Sequence, residues 1–186
     1  MPVLHAEPDV FPELLFDRGD GAATQNRLWR VAHTRPRQEK CLARQLHLRG
    51  LPYYLPLVTR RRRIRGHFQT SYVPLFPSYV FVFGDREERL GILATNRVIR
   101  LLDVPDQEQL WQDLAQVKQL IASGAAITPE GRLVPGKLVE IRSGPLAGLR
   151  GKILRSATGR RFLVEVDFIH KGASVLLDDF SLVAVE

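Results

Sequence analysis

The chain has one cysteine, Cys41, in 186 residues. A lone thiol closes no intramolecular disulfide and builds no cysteine-rich metal site. No apolar run approaches the roughly 20 residues that a bilayer span needs. The start of the sequence lacks the basic-then-apolar pattern of a secretory leader. These absences lead to the expectation of a cytoplasmic protein without membrane association. Chemistry is also scarce. His5, His33, His47, His67 and His170 are scattered without metal-ligand spacing. Cys41 has no evident base partner, and no glycine-rich loop precedes a Lys-Ser or Lys-Thr pair. No catalytic residue, metal or cofactor is therefore expected, and an enzyme is the least favoured class.

Positive charge is abundant and unevenly placed. The formal net charge is +7. Residues 1–28 hold two arginines against five acids, and 29–122 hold sixteen basic against eight acidic groups. The middle of the chain thus carries the electrostatic case for a polyanionic partner. An apolar fraction of 45% is ordinary for a globular chain. The length suits one medium domain or two small ones.

Residues 1–28 read as an acidic tail with too few apolar groups for a core, and disorder is the expectation. Trp29-Arg30-Val31-Ala32-His33-Thr34 alternates as a strand does. A helix is expected to start around Thr34-Arg35-Pro36 and run to residue 49, with Gly50 at the left-handed C-terminal position. Residues 51–58 form a strand broken by prolines, expected at a sheet edge. The arginine run and the residues after it form a hairpin or loop. Tyr79-Val80-Phe81-Val82-Phe83 is continuously apolar and is the candidate for the sheet centre. A helix at 86–93, a strand at 98–102 and a helix at 106–122 follow. This order implies helices packed on an antiparallel or mixed sheet, an α+β fold. Residues 123–132 read as a linker.

The last third, 133–186, holds short β-rich runs punctuated by glycine, the pattern of a small barrel. Residues 136–153, from Gly136-Lys137-Leu138-Val139-Glu140-Ile141 through Gly144, Gly148 and Gly151, closely resemble a KOW motif. That resemblance implies an SH3-like β-barrel. Upstream, Trp29-Arg30-Val31-Ala32-His33-Thr34-Arg35-Pro36, Gln38-Glu39-Lys40 and Pro74-Leu75-Phe76-Pro77-Ser78-Tyr79-Val80-Phe81-Val82 resemble the N-terminal (NGN) domain of NusG proteins. Ala94-Thr95-Asn96-Arg97-Val98 and Val104-Pro105 fit its following elements. The resemblance covers about residues 29–186. It implies an α/β sandwich over 29–122 that binds the clamp helices of bacterial RNA polymerase. It further implies a monomer that suppresses pausing and contacts non-template DNA. Its KOW domain would recruit Rho or a small-subunit ribosomal protein. No counterpart of the general Trp-Tyr-x-x-Arg-x-Thr-x-Gly-Val stretch is present, so the chain looks more like a specialised paralogue of the RfaH type. Where that type carries His-Thr-Thr-Thr, this sequence has Glu88-Arg89-Leu90-Gly91. An RNA-binding or ribosome-associated KOW protein is the alternative.

Three groups of residues are candidates for contact. Tyr54, Phe76, Pro77 and Tyr79 are aromatic and proline groups near a strand edge; they read either as core or, through the resemblance, as the clamp-helix depression. Arg61, Arg62, Arg63 and Arg65 belong to the densest charge run, read either as a solvated tip or as a nucleic-acid contact. Arg35, Arg37, Gln38 and Arg44 lie on or near the first helix, read either as an ordinary polar face or, by resemblance, as a DNA-reading face. Cys41 stands where the RfaH type has an arginine. Phe168, Ile169 and Lys171 read either as a loop with a buried aromatic or, by resemblance, as the surface meeting the KOW partner.

Overall fold

The structure, a computed structural model, describes residues 8–17, 26–64, 66–130, 136–156, 159–176 and 182–184. The chain separates into two compact units, Met1–Glu108 and Gln109–Glu186.

The first unit is built on a five-stranded antiparallel sheet. Strands β1 (Val10–Phe11), β2 (Leu28–Thr34), β3 (Tyr53–Tyr54), β6 (Tyr79–Gly84) and β7 (Val98–Asp103) pair in the order β1-β3-β6-β2-β7. The continuously apolar β6 is central, as its sequence implies. A strand covered on both faces has no use for polar alternation. Helix α1 (Glu39–Leu48) and helix α2 (Arg86–Leu93) flank the sheet. One sheet face gives Ala32, Tyr53, Val80, Val82 and Leu101 to a core shared with Leu42, Ala43 and Leu46 of α1 and Ile92 of α2. Each fully buried side chain of that size contributes roughly 1.5–3 kcal/mol. The opposite face carries Trp29, Val31, Phe81 and Tyr54, all buried.

Three expectations change here. Residues 8–17, read as part of a disordered tail, join the fold. Val10 and Phe11 pair with Tyr54 and Tyr53, the Tyr53 hydroxyl donates to the Pro8 carbonyl at 3.0 Å, and the Leu55 N–H donates to Asp9 O at 2.6 Å. Phe16 supplies the anchor, stacking on Trp29 at 5.7 Å and meeting Tyr54 edge-on at 5.0 Å. The rest of the tail reading lies partly outside the described residues. Strand β3 accordingly sits one place in from the edge. Its prolines, Pro52 and Pro56, bracket it, and both carbonyls accept, from Phe83 N–H and Leu75 N–H. Helix α1 starts at Glu39, later than expected, because Arg37 takes a left-handed φ of +61° that the helix cannot continue through. Gly50, at φ +68°, ends that helix as expected.

Strands β4 (Leu57–Ile64) and β5 (His67–Pro74) form a separate two-stranded hairpin. Leu57 and Tyr72 tie its base to the core.

The second unit contains helix α3 (Gln107–Ala122) and strands β8 (Thr128–Glu130), β9 (Lys137–Ile141), β10 (Arg150–Ser156), β11 (Gly159–Val166), β12 (Lys171–Leu176) and β13 (Leu182–Ala184). The helix begins two residues before the unit boundary. The strands pair antiparallel in the order β13-β9-β10-β11-β12-β8. Pairing among the described residues ends at β13 and β8, and no closed barrel is found among them. Its core is Val139, Ile141, Phe162, Val164, Val166, Ala173 and Val175. Gly151 is required by close approach: a Cβ there would strike the Leu163 carbonyl and the Phe162 ring. Ser174 Oγ donates to Glu130 Oε1 at 2.6 Å, and Arg161 Nε donates to Ser174 Oγ at 2.8 Å, fixing β8 to its neighbour. The expected linker at 123–132 contains β8, and residues 131–135 lie outside the described ones.

Candidate functional surfaces

The aromatic group resolves into two kinds of residue. Tyr54 is 0% exposed and Phe76 is 2% exposed. Of its two readings Phe76 takes the core one, its ring packing edge-on against Phe81 at 6.2 Å. Tyr54 is held under Phe16, and burial, with Asp9 next, pushes its phenol well above the ordinary 10.0. Pro77 is exposed and Tyr79 half-buried. The turn carrying them is fixed at both ends. Ser78, at φ +69°, donates its N–H to Glu39 Oε1 at 2.6 Å, and its carbonyl accepts from Thr34 N–H at 2.9 Å. Tyr79 stacks on His33 at 5.4 Å. The buried Glu39 thus locks the start of α1 to the one part of the aromatic group that reaches solvent. The sequence carries no signal for that contact, because 39 residues separate Glu39 from Ser78.

The polar group near α1 also divides. Arg35 and Arg37 are exposed, but they lie in the loop before the helix. Gln38 is half-buried, and its Oε1 accepts from Arg97 Nη1 at 2.7 Å. It is a positioning contact between the helix start and the residues before β7. Arg44 is exposed on the helix itself. Glu88, in the stretch that differs from the RfaH type, belongs to a capping box. Asp85 Oδ1 accepts from the Glu87 and Glu88 N–H groups at 2.9 Å each, and Glu88 Oε2 accepts from Asp85 N–H at 2.8 Å. Arg27 pairs with the same carboxylate.

Arg61, Arg62 and Arg63 stand exposed on β4; Arg65 lies outside the described residues. Among the described residues no ion pair engages Arg60, Arg61, Arg62 or Arg63. The cross-strand register sets Arg63 opposite Phe68 and Arg61 opposite Thr70. Phe68 is a residue that sequence reasoning passed over. The available signal was strand alternation, which can set an aromatic side chain on the same face as every second arginine.

In the second unit, Phe168 is half-buried and Lys171 half-buried, whereas Ile169 is only 8% exposed. Ile169 belongs to a short 3-10 turn, Asp167–Ile169, that closes over the sheet core. Of the three expected contact residues, Ile169 thus offers the least surface. Asp113 of α3, itself buried, accepts the Asp167 N–H at 3.0 Å and the Gln109 side-chain amide at 2.7 Å. Desolvation raises its pKa from 3.8 to about 6. Among the described residues no cluster of three or more His, Cys, Asp or Glu could hold a metal ion. No helix among them is long and apolar enough to cross a membrane.

Residues 27–120 match the family described as "Transcription termination factor nusG". The match spans half of the chain. The chain belongs to the NusG family. The NusG-family span holds four of the five strands of the first sheet, all but β1, with both flanking helices, the arginine hairpin and most of α3, while the C-terminal sheet lies beyond it. No curated protein matches the chain. Among solved structures, the crystal structures of the MjSpt4:Spt5 complex in conformations A and B are each 17% identical over 86% of this chain, covering 100% and 99% of theirs. Their TM-scores are 0.28 and 0.25, a likeness too weak to carry an argument.

Proposed function

We propose that this NusG-family transcription factor binds bacterial RNA polymerase at the clamp helices, suppresses pausing, and recruits a second factor, Rho or a small-subunit ribosomal protein, through a KOW-type C-terminal domain. It works in the cytoplasm as a monomer, as a specialised, RfaH-like antitermination factor. The observation that carries the reading is the family match over 27–120, which encloses the Pro77–Tyr79 turn. That turn offers what a docked helix needs: an exposed proline ring and half an aromatic ring on a rigid support. The C-terminal part rests on the KOW resemblance of 136–153 and on the antiparallel order of β9 to β12. Phe168 and Lys171 are its candidate contacts.

The test is retention of the full chain on immobilised core polymerase. The double substitution Pro77→Ala, Tyr79→Ala should weaken retention by at least tenfold with unchanged circular dichroism; an interface aromatic is worth roughly 2 kcal/mol. Phe76→Ala should instead lower unfolding stability by about 3–5 kcal/mol, as core truncations do. Full retention by the double variant would remove the turn from the interface. Co-sedimentation with ribosomes but not with polymerase would favour the ribosome-associated alternative.

A further inference from the structure

The hairpin of β4 and β5 is more than a charge run. Alternation places Thr59, Arg61, Arg63, Phe68, Thr70 and Tyr72 on one face and Arg60, Arg62, Gln69 and Ser71 on the other. The first face bears a stack. The Arg61 guanidinium carbon lies 4.2 Å from the Phe68 ring centroid, and that of Arg63 lies 6.0 Å from it. Phe68 nevertheless remains 62% exposed. Residues 57–74 contain no aspartate or glutamate. A ring this exposed on a two-stranded hairpin buries little surface for the fold. Its cations are held close together with no acid in the hairpin.

We propose that this face binds an unpaired base, with Phe68 and the Arg61 guanidinium as the stacking platform and Arg63 on an adjoining phosphate. The inference goes beyond the polymerase-binding role proposed above and takes up the nucleic-acid reading of the arginine run. Aromatic rings and guanidinium planes both present flat faces to a base, and every base has a matching π-face. A base inside a duplex is already stacked on both sides, so the platform selects single strands. Strands of DNA and RNA share the recognised chemistry. The opposite face, with Arg60 and Arg62 but no ring, can neutralise phosphate without stacking. An acidic protein surface would also be drawn to the arginines, but it would make no use of the ring.

The experiment is fluorescence anisotropy of the full chain with a labelled oligo-dT strand, an oligo-U strand of equal length and a blunt duplex, each over a range of KCl. Phe68→Ala should weaken both single strands about tenfold, leave the duplex nearly unchanged and leave the salt slope unaltered. Phe68→Trp should restore binding. Arg61→Gln with Arg63→Gln should flatten the slope by roughly 0.7 per charge removed. Equal single-strand binding by Phe68→Ala and the parent, or a duplex bound as tightly as the strands, overturns the proposal. Retention on core polymerase separates this idea from the broader one. Phe68→Ala should be retained like the parent chain; a parent chain that is not retained sinks the polymerase reading, while the oligonucleotide series still judges the stack.

Discussion

Asp113 shows how one residue ties a helix to a sheet at an electrostatic cost. Its carboxylate accepts two hydrogen bonds, which favour the charge, but burial outweighs them, and Asp167 and Glu165 add repulsion. Its folded pKa of about 6 exceeds the ordinary 3.8. Between those values the folded chain keeps a proton that the unfolded chain has released. Stability must therefore fall as pH rises through that window and level off above it. Unfolding midpoints measured across the window should decline for the parent chain relative to Asp113→Asn, which keeps an acceptor for the Asp167 N–H but cannot ionise. A pH-independent difference between the two would show that Asp113 is not protonated in the fold. Nothing in the sequence marks Asp113. It is an aspartate in an amphipathic helix, and only the turn 54 residues away makes it buried and bonded.

At the level of elements, the place of the N-terminal segment is hidden in its sequence and that of the central strand is not. Tyr79-Val80-Phe81-Val82-Phe83 announces a buried strand by composition alone, because two covered faces demand apolar residues throughout. Residues 8–17 have only Val10, Phe11, Leu14, Leu15 and Phe16 to offer, too few for a core of their own. They gain order by adding to an existing sheet, where backbone pairing and a ring on Trp29 and Tyr54 suffice. Removing residues 1–17 should therefore leave the first unit folded but weaker, with β3 at a bare edge and Trp29 uncovered. A red shift in tryptophan emission with a lowered melting temperature is the expected result; unchanged emission and melting would mean the segment contributes nothing. The hairpin illustrates the same division. The pattern of 57–74 allows a hairpin or a loop, whereas the stack of Arg61 on Phe68 follows from register, which a shift of one residue would abolish.

At the scale of the molecule, the family boundary and the packing boundary fall at different places. The NusG match runs to residue 120, while side chains of α3 bond to β10 and to the loop before it: Gln116 Oε1 accepts from Arg150 N–H at 2.7 Å, and Gln119 Nε2 donates to the Ala147 carbonyl at 3.0 Å. A fragment of 107–186 should thus unfold cooperatively and at higher temperature than 133–186, as read by circular dichroism. Equal melting would mean that α3 adds nothing to the sheet and that the modular division at 123–132 stands. The sequence by itself determined the α+β class, the central strand, helices α1 to α3 within a few residues, and the family, because these follow from local periodicity and from motifs read in order. Only the tertiary structure decided that Phe76, Tyr54 and Ile169 are buried, that residues 8–17 complete a sheet, and that Phe68 stacks with the arginines. Each of those depends on which distant segment arrives to cover or to leave bare a side chain, and periodicity in one segment holds no information about its neighbour across the fold.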